Sequence, residues 1–449
     1  MTTLPRTTML GLAALLLGGP AAAQTSLTIY QDGRVLVRRT IEAKVPKGAS
    51  EQRFSLGMLD PATVFSLDPA VNVIRSSFEG GVDQGSALRR SVGRTLLFRT
   101  SPKDTVSATV LGVDPERYQF ADGSVSFSAP GTPLFPKDVV IVEPELRLSV
   151  RAAEERKSLA LGYFTGGASW DASYHVILGG KTAQVSGAAV VQAGPLKLVD
   201  VEVQLLAGDV GRADKGRPIP MQANAGFVTA ERAAVAMEQS VGEAHVYTLP
   251  GRMTLRPGET SSVALFEPLA AAYEKRYVVP GGLPIWGGLP QYGEETLMPV
   301  EVSYQLTRAR KTEFGDRPLP GGVVRLYQAD DTNRLQLVGE ASLNHTAPGA
   351  EVRLSAGHAF DLTAKRVQNT YTTAREKNRT VATADYTVTL GNATDAAVTI
   401  DVYEERGGEW SVLQSSLPAE KVSSTRTRFR VAVPAKGEAT LTYRVRVVW

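Results

Sequence analysis

Apolar and polar residues alternate with a period of two along most of this chain, the pattern of half-buried β-strands. The first instance, LTIYQDGRVLVRRTI from Leu27 to Ile41, places Gln31-Asp32-Gly33 between two alternating runs. An Asp-Gly pair in that position predicts a hairpin, because glycine accepts the positive φ of a tight turn. Val45-Pro46-Lys47-Gly48 predicts the next turn and Gln52 to Leu56 the next strand, so residues 24–80 are expected to form a small N-terminal β domain. A linker-like GGVDQGSA follows. Short strands with Gly, Pro and Asp punctuation, RTLLFRT, VSATVLGV, RYQFADG and SVSFSA, then predict a small β-barrel or sandwich insert over 86–144.

The main body, 145–449, is organised around Leu161 to Gly208. This stretch opens LGYFTGGASWDASYHVIL and closes VEVQLLAGDV. It predicts a strand, a tight turn at Gly166-Gly167, a strand anchored by an inward Trp170, and two further strands. Residues 211–242 and 280–299 interrupt the alternation as excursions. From Val300 to Trp449 the alternation returns, with turn signals about every 8–12 residues, the spacing of a β-sandwich. The expected fold is all-β and multi-domain: predominantly antiparallel β-sandwich modules with a small N-terminal β domain and a small barrel-like insert.

The start of the chain has a different pattern. Arg6, an apolar run from Met9 to Leu17, and Ala21-Ala22-Ala23 before Gln24 have the order of a secretory signal peptide. The run is shorter than the roughly 20 residues a membrane-spanning helix needs. Residues 1–23 are therefore expected to be removed, giving a periplasmic, cell-envelope or extracellular protein with no transmembrane span in the mature chain. There is no cysteine, so the stability of an exported chain must come without disulfides. The formal charge is +3, with acids interleaved among the bases and no basic block, which argues against nucleic acid as a partner.

The residue types that carry chemistry are scattered. His175, His245, His345 and His358 form no metal-binding spacing, and without cysteine the usual zinc sets are absent. Asp330-Asp331, Glu154-Glu155, Glu294-Glu295 and Glu404-Glu405 are adjacent acids. Neighbours on a strand face opposite ways, so these doublets are poor acid–base pairs, and solvated loop tips are the expectation for all four. Gly167-Ala168-Ser169-Trp170 is not a nucleophile elbow. The alternation of Leu441, Tyr443, Val445, Val447 and Trp449 would suit a transmembrane barrel, but paired aromatic girdles are missing and a last sandwich strand fits better.

YFTGGASWDASYHVIL, SGAAVVQ and VEVQLLAGDV together resemble the domain-of-unknown-function 4139 family, which includes mucoidy-inhibitor-like exported proteins. HVYTLPGRMTL, KRYVVPG, RPLPGGVVRLYQAD, LVGEASLNHTAPGAEVRLSAGHAFDL and TLTYRVRV extend the likeness over roughly residues 145–449. IYQDGRVLVRR is similar to that family's N-terminal companion domain. Many members carry a helical coiled-coil segment between the two domains, where residues 80–142 of this chain read as strands. The resemblance implies an exported, mostly β protein and supplies no catalytic residues.

Two functional expectations follow. One is a non-enzymatic envelope binding or structural module, with an envelope protein or surface polymer as partner and no cofactor. The other is a hydrolase or metal-dependent enzyme whose site is assembled from residues distant in sequence. For the first, Leu283, Ile285, Trp286, Leu289 and Tyr292 are the candidate partner-contact residues, because apolar clusters rich in Trp and Tyr mark interaction sites. The alternative role for that loop is an internal cap on the open end of a sandwich.

Overall fold

The computed structural model describes residues 25–211, 236–281, 293–376 and 378–449. It is 63% strand and 4% helix, arranged in several antiparallel sheets with no closed barrel among the described residues. The chain is therefore all-β and multi-sheet. It separates into two compact units, one holding the residues up to 169 together with 192–205 and 251–259, the other holding 170–191, 206–250 and 260–449.

In the first unit, the predicted hairpin joins Thr25–Tyr30 to Arg34–Val45. Gly33 takes φ 86°, and the Asp32 carboxylate accepts from the backbone N–H of Arg34 at 3.1 Å and from its Nε at 2.7 Å. Leu27 faces Val37 and Ile29 faces Val35 across the pair, and all four are buried. Arg156–Gly166 pairs with the other edge of Arg34–Val45, while Glu145–Ala152 pairs with Val71–Glu79. Residues 145–169, placed with the main body on sequence, thus complete the N-terminal sheets, because Leu159, Leu161 and Tyr163 bury their side chains there.

The insert is an open five-stranded sheet rather than a barrel, in the order Thr132–Leu134, Thr95–Arg99, Thr105–Val113, Glu116–Gln119, Val125–Ser126. Its core is Leu88, Leu96, Phe98, Ala108, Val110 and Tyr118, with Phe98 and Tyr118 edge-on at 5.3 Å. The linker-like segment before it is in fact partly helical, over Gln84–Arg90. The Asp83 carboxylate accepts from the Ser86 N–H at 2.9 Å, satisfying one of the donors a helix start leaves open.

The organising stretch supplies four strands, Arg156–Gly166, Ser169–Leu178, Thr182–Gln192 and Leu198–Ala207. Gly167 takes φ 97° at the first turn. A Cβ on Gly194 would lie 1.7 Å from the Gly167 carbonyl oxygen, so the two backbones approach as closely as only glycine permits.

The second unit contains most of a ten-stranded sheet and a separate five-stranded sheet. Trp170 is fully buried, and its Nε1 donates to the Leu206 carbonyl at 3.2 Å. Ser169–Leu178 pairs in parallel with Gly322–Ala329, as Thr260–Val279 does with Val398–Glu405, in a predominantly antiparallel structure. At the C-terminal end the five-stranded sheet runs Glu295–Met298, Leu362–Glu376, Arg379–Asn392, Gly437–Val448, Glu409–Ser415. It shares one core with the strands Val398–Glu405 and Arg426–Val433 of the larger sheet, through Val388, Leu390, Ile400, Val402, Phe429 and Leu441. This is a two-layer sandwich. The last strand, Gly437–Val448, lies inside it with Leu441, Tyr443, Val445 and Val447 turned to the core.

Candidate functional site

Strand alternation sends Ile400, Val402 and Glu404 in the same direction, into the sandwich core. Glu404 is fully buried there, which overturns the expectation of a solvated tip for Glu404-Glu405; only Glu405 is exposed. The Glu404 carboxylate accepts from the Tyr443 hydroxyl at 2.7 Å and from Arg366 Nη2 at 2.9 Å. Its other oxygen lies 2.5 Å from Arg406 Nη2. Buried charge is costly unless it is paired and hydrogen-bonded; Oε2 has both, whereas Oε1 has the Arg406 ion pair but no hydrogen bond among the described residues.

Aromatic rings enclose the group. The Arg366 guanidinium sits 4.0 Å from the Tyr386 ring centroid, Tyr386 stacks on Tyr443 at 5.5 Å, and Tyr443 stacks on Phe429 at 5.0 Å. Burial holds the Tyr443 hydroxyl well above its ordinary pKa, and the neighbouring Glu404 carboxylate pushes in the same direction. Burial opposes the charge on Arg366, yet Glu404 and the two tyrosines outweigh it and raise that pKa. The tyrosines therefore stay neutral donors and the arginine stays charged.

Beside the two tyrosines a cleft of about 430 Å³ opens, a size typical of small-ligand sites, about 300–1,000 Å³. Its local geometry comes from two β-bulges. One interrupts the register of Leu362–Glu376 between Gln368 and Thr370, and the other interrupts Glu409–Ser415 between Val412 and Gln414. Between them, on the two central strands, Tyr386 faces Tyr443 and Asp385 faces Arg444. An extra residue bends and twists its strand, and here the bends flank one row of the sheet on both sides.

The cleft lining is polar: the amides of Asn369 and Gln414, hydroxyls from residues 415, 416 and 442, and the Asp385–Arg444 pair. Asp385 accepts from Arg444 Nε at 2.5 Å and Nη2 at 3.0 Å, and from the Thr370 hydroxyl at 2.6 Å. The Arg444 hydrogen bond, aided by Thr370, holds the Asp385 carboxyl below the usual carboxylate range despite its partial burial. A carboxylate so engaged is a poor proton acceptor at neutral pH, so the pair orients and neutralises rather than transfers protons.

No family model matches the chain, and no curated protein matches it.

The residues singled out on sequence lie elsewhere. Trp170 belongs to the second unit, whereas Gly166 ends a strand of the first and Gly167 makes its turn. Leu283, Ile285, Trp286, Leu289 and Tyr292 lie outside the described residues, as do residues 1–24. The glycines flanking that loop are placed: Gly281 packs against Glu405, and the Gly293 N–H donates to the Gln368 carbonyl at 3.2 Å. Among the histidines, His175 stacks on Tyr327, His245 pairs with Glu238 at 2.7 Å, and His345 accepts from the Gly321 N–H. Among the described residues no three His, Asp or Glu side chains gather as a metal would require. Asp330, from another doublet, ties its own loop by accepting from the N–H groups of Thr332 and Arg334 and from Gln336 Nε2, which draws its pKa down to about 2.

Sequence reading missed Arg366, Glu404 and Arg406, and the signal for two of them was available. Arg366 follows Leu362 and Ala364 in the inward phase, and Glu404 follows Ile400 and Val402. A charge at an inward position predicts a buried partner.

Proposed function

We propose that this chain is an exported, non-enzymatic module of the cell envelope, related to the domain-of-unknown-function 4139 family. In this reading it binds its partner through the cleft between the two bulges of the C-terminal sandwich. The observation that carries the reading is the Asp385–Arg444 row. The cleft converges several hydrogen-bonding groups, yet its only acid among the described residues is held ionised by a two-bonded arginine and a threonine. That favours recognition over acid–base chemistry. The buried Glu404 group beneath it fixes Tyr386 and Tyr443, the rigid support a binding site needs.

The absence of cysteine gives a clean test. Gln414 is exposed, so Gln414→Cys provides a single thiol at the cleft, and a bulky maleimide on it fills the space. The labelled protein should wash out of native envelope fractions at unchanged circular dichroism and melting temperature, whereas unlabelled Gln414→Cys should be retained. Retention of the labelled protein equal to the parent would refute the cleft as the binding site.

A further inference from the structure

Resting on that reading, we propose that the cleft takes a neutral, hydroxyl-rich carbohydrate chain. The lining chemistry narrows the ligand by elimination. An anion would need an uncompensated cation, but the charge of Arg444 is already neutralised by Asp385, to which it directs Nε and Nη2. A cation would need the Asp385 carboxylate, which already accepts from Arg444 and Thr370. An apolar ligand would strip water from amides and hydroxyls and return no hydrogen bond, a net cost.

A ligand with many neutral donors and acceptors meets none of these objections. Gln414 is exposed and has no side-chain hydrogen bond among the described residues, so both ends of its amide are open to a ligand. Asn369 donates its Nδ2 to the Thr387 hydroxyl at 2.7 Å, which fixes the amide plane and leaves its carbonyl oxygen to accept. The Thr442 N–H is occupied by the Ser416 hydroxyl at 3.0 Å, so that part of the rim is held rigid. The outer face around the cleft continues with Thr383, Thr387 and Thr389, all half-buried on the central strand, a hydroxyl surface along which a chain of sugars can extend. An extended peptide is less well matched, because peptides add to sheets at an edge through backbone hydrogen bonds, and this cleft is lined mainly by side chains.

The test is titration calorimetry on the full chain with cellohexaose, maltohexaose and N-acetylchitohexaose as neutral probes. Hexagalacturonate serves as the anionic probe and a neutral extended decapeptide as the peptide probe. At least one neutral oligosaccharide should bind, and Asn369→Ala/Gln414→Ala should weaken it by about tenfold or more with an unchanged melting temperature. That variant leaves the Asp385–Arg444 pair and the buried Glu404 group intact. Tighter binding of hexagalacturonate or of the decapeptide would overturn the carbohydrate assignment, as would neutral-sugar binding indifferent to the double variant. If no oligosaccharide binds although the maleimide label releases the protein from envelopes, the cleft remains the site and the ligand class is wrong. If the label also fails to release it, the binding reading itself falls.

Discussion

At the scale of single residues, the C-terminal sandwich depends on one buried carboxylate. Removing a partner from a buried ion pair costs about 3–5 kcal/mol, because the charge left behind stays desolvated. Glu404→Gln leaves Arg366 and Arg406 facing each other without their shared counter-ion, and chemical denaturation should show a loss of that size. Tyr443→Phe removes one hydrogen bond to the carboxylate, for which about 1.5–3 kcal/mol is expected. Trp170 is a packing anchor of another kind, and Trp170→Ala should cost about 3–5 kcal/mol through the cavity it leaves.

Asp385 adds a pH dependence of definite sign. Its folded-state pKa is depressed by the Arg444 hydrogen bond, so its contribution is fully present above the unfolded carboxylate value of about 3.9. It is lost as pH falls through the lower folded value. Melting curves recorded downward from about pH 5 should fall less steeply for Asp385→Asn than for the parent; identical slopes would show that the pair does not couple to folding. Trp170 could be picked out on sequence because it follows the glycine turn at the inward phase of a strand. Glu404 was hidden because adjacent acids suggest solvent, and only the phase of the alternation separates the buried member from the exposed one.

At the scale of elements, the period of two carried most of the architecture. The Asp32-Gly33 hairpin, the four strands from 156 to 207 and the strands after Val300 all follow from it. What it could not show are the interruptions that shape the cleft. A bulge adds one residue without changing composition, so the shifts beside Asn369 and Leu413 leave no mark that a loose alternation would not also leave. The short Gln84–Arg90 helix was hidden because Gly80, Gly81 and Gly85 resemble a linker, although Asp83 is a good cap. Close backbone approach was likewise invisible. Gly194→Ala, at φ 53° and directly against the Gly167 carbonyl, should lower the melting temperature far more than Gly180→Ala, where an added Cβ meets nothing.

At the scale of the whole molecule, the chain passes between the two units at 169/170, 191/192, 205/206, 250/251 and 259/260. Neither unit is a continuous segment. A fragment ending at residue 169 lacks residues 198–205, which neighbour Thr25–Tyr30 in the sheet, and it should show neither a cooperative melt nor resistance to proteolysis. Export belongs to this scale too: intact mass of protein from native envelopes should correspond to residues 24–449, and a mass retaining residues 1–23 would contradict cleavage after Ala23. Binding through the C-terminal cleft is tested most directly by hydrogen–deuterium exchange on the full chain, free and bound to native envelope material. Protection should appear in 366–372, 383–388, 411–416 and 440–446, with the N-terminal unit unchanged. Protection confined to other strands, with these four segments exchanging as in the free protein, would contradict it.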